Sequence, residues 1–279
     1  IFKCFSTGKG GDAIEFLKEV ENLSYVEALK YLGEKYGVKV DDVDDNSPKN
    51  TENESLFIIT SKSNEFFINN LESQDGKNFA KTYLDHRGIS SEMIHQFGIG
   101  YSSKEWNSLL IHLTKNGYKE SLIEKAGLII SKNNKRYDRF RNRLMFPIQN
   151  ISGKVIAFGA RQIEEDKNQP KYINSPETNL YTKSDVLYGL YQSKNHIRRE
   201  DKCILVEGYT DVISLFQVGI KNVVSSSGTS LTNNQIKLIS RYTKNITILF
   251  DGDEAGLSAS LRGMDLICLL YTSDAADDR

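Results

Sequence analysis

Glu207, Asp251 and Asp253 are the residues whose types and spacing point most directly to chemistry. Each acidic motif follows an apolar, β-branched run. Cys203-Ile204-Leu205-Val206 leads into Glu207-Gly208-Tyr209-Thr210-Asp211, and Ile246-Thr247-Ile248-Leu249-Phe250 leads into Asp251-Gly252-Asp253. Short apolar runs closed by glycine turns read as buried strands of the kind parallel sheets contain. Ligand chemistry in open α/β sheets gathers beyond the carboxyl ends of the strands, where all three acids project. Three carboxylates with no basic residue beside them repel one another unless a hard divalent cation joins them. Mg²⁺ takes oxygen ligands and completes its shell with waters and phosphates, so the site reads as metal-dependent phosphoryl chemistry.

The elements that must position these acids form a repeated β-α pattern. The strand at 203–206 leads to a helix from about Thr210 to Val218, and Asn222-Val223-Val224 begins the next strand. Ser225-Ser226-Ser227-Gly228-Thr229 is a loop at that strand's carboxyl end. Thr232-Asn233-Asn234-Gln235 is a capping box that opens a helix through about Tyr242. The run 246–250 then delivers Asp251 and Asp253. Strand, helix, strand, helix, strand implies right-handed crossovers and a parallel sheet.

Upstream, Arg139-Phe140-Arg141-Asn142-Arg143-Leu144-Met145-Phe146-Pro147-Ile148 alternates basic and apolar residues. Across a Ser152-Gly153 turn it can pair with Val155-Ile156-Ala157-Phe158-Gly159-Ala160-Arg161 as a hairpin. Leu187-Tyr188-Gly189-Leu190-Tyr191 has a helix-like pattern. Near the start, a helix is expected from about Asp12 to Val20, burying Ile14, Phe16 and Leu17. Ser24 and Glu27 read as a capping box before a second helix, whose apolar face carries Val26, Leu29, Leu32 and Tyr36.

Charge is unevenly distributed. Residues 131–200 hold 14 Lys/Arg against 7 Asp/Glu, a net of +7, which leaves −8 elsewhere in a chain whose total is −1. A basic block before an acidic metal site suits an enzyme that processes a polyanion. Residues 41–54 carry Asp41, Asp42, Asp44, Asp45, Glu52 and Glu54 against Lys49 alone and, with Pro48, read as a solvated linker. No long apolar run or leader is visible, so no membrane association is expected. Cys4, Cys203 and Cys268 form no disulfide framework and fit a reducing cytosol, hence a cytoplasmic location. The start at Ile1 suggests that the true N-terminus lies upstream. His86, His95, His112 and His196 have no ligand spacing, and no catalytic role is assigned to them.

The spacing of Glu207, Asp251 and Asp253 resembles the toprim domain of primases, topoisomerases and some nucleases, with Asp211 one helical turn past Glu207. The basic hairpin carries Pro170-Lys171-Tyr172-Ile173-Asn174-Ser175-Pro176-Glu177-Thr178 and Tyr181-Thr182-Lys183 behind it. Together with Tyr83-Leu84-Asp85-His86-Arg87-Gly88-Ile89 and Phe97-Gly98-Ile99-Gly100-Tyr101, it resembles the N-terminal subdomain of the DnaG-type primase polymerase core. Phe2-Lys3-Cys4-Phe5 and the helix start Gly11-Asp12-Ala13-Ile14-Glu15-Phe16-Leu17 resemble the second half of the zinc ribbon of bacterial replicative primases. There Cys4 holds the third ligand place, but the fourth falls on Thr7, a poor zinc ligand, so zinc is not supported.

The resemblance implies an α/β fold, α+β overall, in which a basic α+β subdomain and a short zinc-ribbon-like helical remnant precede a toprim-type parallel sheet. The implied domains are 1–40 (zinc-binding remnant), 41–55 (acidic linker), 56–200 (basic subdomain) and 201–267 (incomplete toprim domain), with a non-family tail at 268–279. It implies template-directed synthesis of RNA primers on single-stranded DNA from ribonucleoside triphosphates. Glu207, Asp251 and Asp253 would be catalytic and, with Asp211, would hold Mg²⁺ or Mn²⁺. Arg139, Arg141, Arg143, Arg161, Lys171, Asn174 and Lys183 would bind nucleotide and nucleic acid, and Tyr172 either stacks on a base or joins the core. The implied protein is a monomer that meets the replicative helicase through a further C-terminal region. Two other readings stay open. One is a toprim nuclease using the same acids for hydrolysis; the other is an inactive fragment that binds single-stranded nucleic acid.

Overall fold

The computed structural model describes residues 1–4, 10–21, 25–38, 48–133, 135–164, 166–228 and 230–277. The chain divides into two compact units, Ile1–Glu52 and Asn53–Arg279. In the first, β1 (Phe2–Lys3) and β2 (Gly10–Gly11) pair antiparallel ahead of α1 (Ala13–Glu21) and α2 (Tyr25–Tyr36). Asp12 caps α1, its Oδ1 accepting from the amides of Ile14 and Glu15 at 2.9 Å each.

Two expectations for this unit need correction. Phe16 is 44% exposed, with its ring edge-on to Phe2, and Tyr36 is 68% exposed. Two helices and a two-residue-strand hairpin are too few elements to cover both rings, and α2 buries Ala28 instead. Ser24 and Thr7 lie outside the described residues, as does the side chain of Glu27.

The helix α3 (Pro48–Leu71) also corrects a reading. Residues 41–47 of the expected linker lie outside the described residues, but 48–55 are helical. Proline at the first helical position sacrifices no hydrogen bond, so Pro48 starts this helix and does not break a chain.

In the second unit, a π-helical turn (Gly76–Lys81) runs into α4 (Thr82–His86), followed by α5 (Ser91–Phe97), β3 (Gly100–Ser102), α6 (Ser108–Lys115) and α7 (Glu120–Lys125). Then come β4 (Ile129–Lys132), β5 (Lys135–Asp138), β6 (Arg143–Gln149), β7 (Val155–Gln162) and β8 (Tyr172–Asn174). The expected hairpin is present: β6 pairs antiparallel with β7, with Phe146 opposite Gly159. It forms the centre of a four-stranded sheet ordered β3-β6-β7-β8. Strand side chains alternate between faces. Leu144, Phe146 and Ile148 therefore enter one core, while Met145 enters a second with Leu109, Leu113, Leu56 and Phe67.

The remaining elements are α8 (Leu190–Glu200), β9 (Cys203–Val206), α9 (Tyr209–Gln217), β10 (Val223–Ser225), α10 (Asn233–Ser240), β11 (Ile246–Ile248) and α11 (Glu254–Asp277). As the β-α pattern requires, β10-β9-β11 is a parallel sheet. Tyr209, Val212 and Phe216 of α9 pack with Leu144 and Phe146, so α9 fills the space between the two sheets. Behind the parallel sheet, Ile197, Ile236 and Ile239 cover Cys203, Leu205 and Val224. The Thr232–Gln235 capping box forms reciprocally, at 3.2 Å in both directions.

Three further readings change. The run 246–250 is only half-buried, and Leu249 is 52% exposed, because β11 is the sheet edge with β9 on one side alone among the described residues. Leu187 and Tyr188 precede α8. Tyr188 instead exchanges backbone hydrogen bonds with Ser225, at 2.9 and 3.1 Å, and Gly189, at φ +81°, turns the chain into the helix. Finally, α11 continues through Cys268 without a break.

Candidate active site

Glu207 and Asp251 meet at the carboxyl end of the parallel sheet. Glu207 follows β9, and its Oε1 accepts a hydrogen bond from the Asp251 amide at 3.0 Å. Two helices start beside this contact. Asp253 caps α11, its Oδ1 accepting from the Gly256 amide at 2.7 Å, and Asp211 reaches back from α9 to accept from the Gly208 amide at 2.9 Å. Helix N-termini favour negative charge, which helps explain how four acids are tolerated here. Glu207 and Asp253 line a cleft of about 330 Å³ with Ser226, Gly228, Ser230 and Gly256.

The donor set is all hard oxygen, and each engaged carboxylate keeps a second oxygen, so these residues fit a hard divalent cation in chemistry. Gly256 preserves the cradle, since a Cβ there would lie 2.9 Å from Glu207 Oε1 and 2.2 Å from the Asp251 carbonyl. Glu207 and Asp253 share one cleft, and Asp251 meets Glu207 through its backbone amide. Among the described residues no three His, Cys, Asp or Glu side chains come together to hold a metal ion. At the N-terminus, residues 1–48 contain one cysteine and no histidine, one ligand where a structural zinc takes four, so this stretch as it stands does not fit the metal.

A second cleft, of about 570 Å³, opens on the antiparallel sheet and is lined by Arg139, Arg141, Arg143, Lys104, Glu164 and Asp166 among others. Arg143 is 2% exposed. Its guanidinium donates to the Lys171 carbonyl at 3.3 Å and to Gln169 Oε1 at 3.4 Å. Arg141 lies over Trp106 and Tyr137, 4.6 and 5.0 Å from their centroids, and donates to the Asp138 carbonyl. Burial lowers the Arg139 and Arg143 pKa values from the ordinary guanidinium range. Arg139 Nε has no hydrogen-bond partner among the described residues.

The other predicted basic residues lie outside this lining. Arg161 is 6% exposed and sits between the rings of Tyr83 and Tyr172. Tyr172 therefore joins neither the core nor a fully open surface. Lys171 is exposed on the chain entering β8, and Lys183, half-buried, stands in a 3-10 turn whose amide donates to Glu177 Oε1 at 3.0 Å. Asn174 is committed within the protein at both ends of its amide. Its Oδ1 accepts from the Tyr209 hydroxyl at 2.6 Å, and its Nδ2 donates to the Ser227 carbonyl at 3.1 Å.

Sequence reasoning left Lys104, Trp106, Tyr83 and Tyr209 unassigned. The signal for Trp106 was available: the chain's one tryptophan stands in the polar run Ser102-Ser103-Lys104-Glu105-Trp106-Asn107, and it is 53% exposed. None of the four histidines lines either cleft.

Comparison with known proteins gives three family matches. Residues 66–194 match the DNA primase catalytic core, N-terminal domain; residues 204–273 match a Toprim-like domain; residues 1–48 match a CHC2 zinc finger. The Toprim-like match thus runs past 267, where the resemblance was expected to stop. The DNA primase of Clostridium acetobutylicum is 44% identical over 270 residues, covering 96% of this chain and 44% of that protein. The chain therefore spans about half the length of the curated relatives it matches. Among solved structures, the RNA polymerase domain of Mycobacterium tuberculosis primase DnaG superposes with a TM-score of 0.71 at 33% identity, covering 76% of this chain and 71% of that one. A DnaG primase catalytic domain bound to single-stranded DNA gives 0.72 at 36% identity, covering 77% and 67%.

Proposed function

The chain belongs to the family of DnaG-type bacterial DNA primases, and on that premise we propose that it takes part in synthesis of short RNA primers on single-stranded DNA. The reaction is nucleotidyl transfer from ribonucleoside triphosphates. The observation that carries this reading is the Glu207–Asp251 hydrogen bond, which joins two motifs 44 residues apart at the ligand-bearing end of the parallel sheet.

Glu207, Asp251 and Asp253, with Asp211, would hold Mg²⁺ or Mn²⁺. Such ions, when bound, neutralise phosphate charge and stabilise the attacking and leaving oxygens of an in-line displacement. The chain's own residues supply the rest. Glu207 keeps Oε2 for a metal or for the proton of the attacking hydroxyl. Arg141 presents its guanidinium to template phosphates in the basic cleft, where a forked donor pairs with phosphate oxygens, and Arg139 and the largely buried Arg143 add positive charge to the same wall. Trp106, exposed beneath Arg141, offers a stacking face to an unpaired base. Lys171 and Lys183 serve the incoming triphosphate, and Arg161, enclosed between Tyr83 and Tyr172, acts through the Tyr172 hydroxyl that its Nη1 holds. The nucleic-acid partner agrees with the relative solved on single-stranded DNA. No described helix is long and apolar enough to cross a membrane.

The test is ribonucleotide incorporation on a single-stranded template by the wild type and by Asp251→Ala. Incorporation should be abolished in the variant while single-strand affinity stays within about twofold, since phosphate contacts come from the arginine cleft. Equal loss of binding would count against the metal-site assignment.

A further inference from the structure

Asn174 stands on β8 of the antiparallel sheet, yet both ends of its side chain are spent on the parallel-sheet region. Tyr209, which donates its hydroxyl to Asn174 Oδ1, is the second residue after Glu207 and is 2% exposed. Its ring lies flat on Phe146, with centroids 5.2 Å apart and planes at 7°, and edge-on to Tyr188 at 4.7 Å. The hydroxyl therefore has a fixed direction.

The other end of Asn174 holds the loop after β10. Ser227, whose carbonyl accepts from Nδ2, has a left-handed backbone, φ +61°, which a serine seldom adopts without support. That same loop is tied to Glu207. Ser225 Oγ donates to the Glu207 carbonyl at 2.8 Å, the Ser227 amide donates to Ser225 Oγ at 2.8 Å, and the Gly228 amide reaches the Glu207 carbonyl at 3.4 Å. Ser226 and Gly228 also line the cleft that holds Glu207 and Asp253.

We infer that Asn174 is a positioning residue: a strut, through Tyr209 and the 225–228 loop, that fixes Glu207 and the wall of the acidic cleft relative to the basic sheet. Each end of the amide is held by a partner within the protein, which fixes the side chain's direction, although one N–H and one lone pair remain. The inference rests on the proposed function for its catalytic consequence and on geometry alone for its structural one.

Two variants test it in the whole 279-residue chain. Asn174→Ala removes the strut, and Tyr209→Phe removes one hydroxyl while keeping the ring that packs on Phe146. The first readout is amide hydrogen exchange without metal or nucleotide, and exchange at Ser227 and Gly228 should rise in both variants while β6 and β7 stay protected. The second is kinetic. Each variant should lose roughly fivefold or more in kcat with the nucleotide KM and single-strand affinity unchanged, and the double variant should lose no more than the larger single loss. A raised nucleotide KM at unchanged kcat would make Asn174 a substrate contact and overturn the inference. Unchanged exchange at 227–228 in both variants would overturn it as well. Because exchange is read without turnover, a wild-type chain that made no primer would count against primer synthesis and leave the strut to be decided by exchange.

Discussion

The Arg161 guanidinium lies between the rings of Tyr83 and Tyr172, its central carbon 5.2 Å from each centroid. Nη1 donates to the Tyr172 hydroxyl at 2.7 Å, and the Tyr83 hydroxyl accepts from Arg87 Nε at 3.1 Å. Two rings and a phenol hold this buried cation in one orientation, and its Nε has no hydrogen-bond partner among the described residues.

That arrangement separates stability from activity. Burying a charge costs free energy, so replacing Arg161 by an apolar residue of similar reach should leave stability nearly unchanged. Arg161→Met should keep the melting midpoint within about 3 °C. A charge-assisted hydrogen bond is worth about 1.5–3 kcal/mol, so primer synthesis should fall roughly 10- to 100-fold. A thermal melt beside an incorporation assay checks both. Parallel loss of stability and activity would make Arg161 a structural residue.

Gly159 leaves the space that Tyr209 fills. A Cβ at Gly159 would stand 2.2 Å from Tyr209 Cζ, within a rigid ring held by Phe146 and Tyr188. Gly159→Ala should destabilise the protein by about 1–3 kcal/mol, the usual cost of overpacking, measured by urea denaturation. An unchanged midpoint would mean that the ring moves aside at little cost.

Gly256 tests the acidic cradle locally. Because a Cβ there would crowd the Asp251 carbonyl and Glu207 Oε1, Gly256→Ala should lower primer synthesis by about tenfold or more. The start of α11 lies beside the sheet edge, so the main cores should be unaffected and the melting midpoint should move by only about 2–4 °C. Full activity in this variant would show that the Glu207–Asp251 contact is not needed.

Asp138 gives a pH dependence. It is buried, with its two oxygens accepting from the Leu109 and Leu110 amides at 2.8 and 3.0 Å and a weaker bond from Ser108 at 3.4 Å. Burial pushes its carboxyl up to about 6, against the opposing pull of those bonds and of Arg141. With a folded pKa above the unfolded value, the native state binds more protons between the two. The associated stability is present below about pH 4 and is lost as pH rises through 6. Relative to Asp138→Asn, which lacks this titration, the wild type should lose about 3 kcal/mol over that window in urea melts. A flat difference would mean that the amide bonds outweigh burial.

The sequence alone determined the secondary elements around the acids and their order. Short continuous apolar runs, the Thr232–Gln235 box and the Ser152-Gly153 turn are signals between near neighbours in the chain, so local physical chemistry suffices to read them. It also placed Glu207 and Asp251 at one end of one sheet, because β-α repeats leave a single handedness of connection. It misread Pro48 as linker and β11 as buried, since a helix start and a sheet edge depend on what lies beside them.

Only the tertiary structure decided which basic side chains face solvent and which are enclosed. Arg141 and Arg161 look alike in sequence, yet one lies over Trp106 at an open cleft and the other is clamped by Tyr83 and Tyr172. Asn174 was legible as a polar residue in a basic motif, but its partners Tyr209 and Ser227 stand 35 and 53 residues away. Contacts over that distance are set by how α9 packs between two sheets, a consequence of volume and burial that no local spacing encodes.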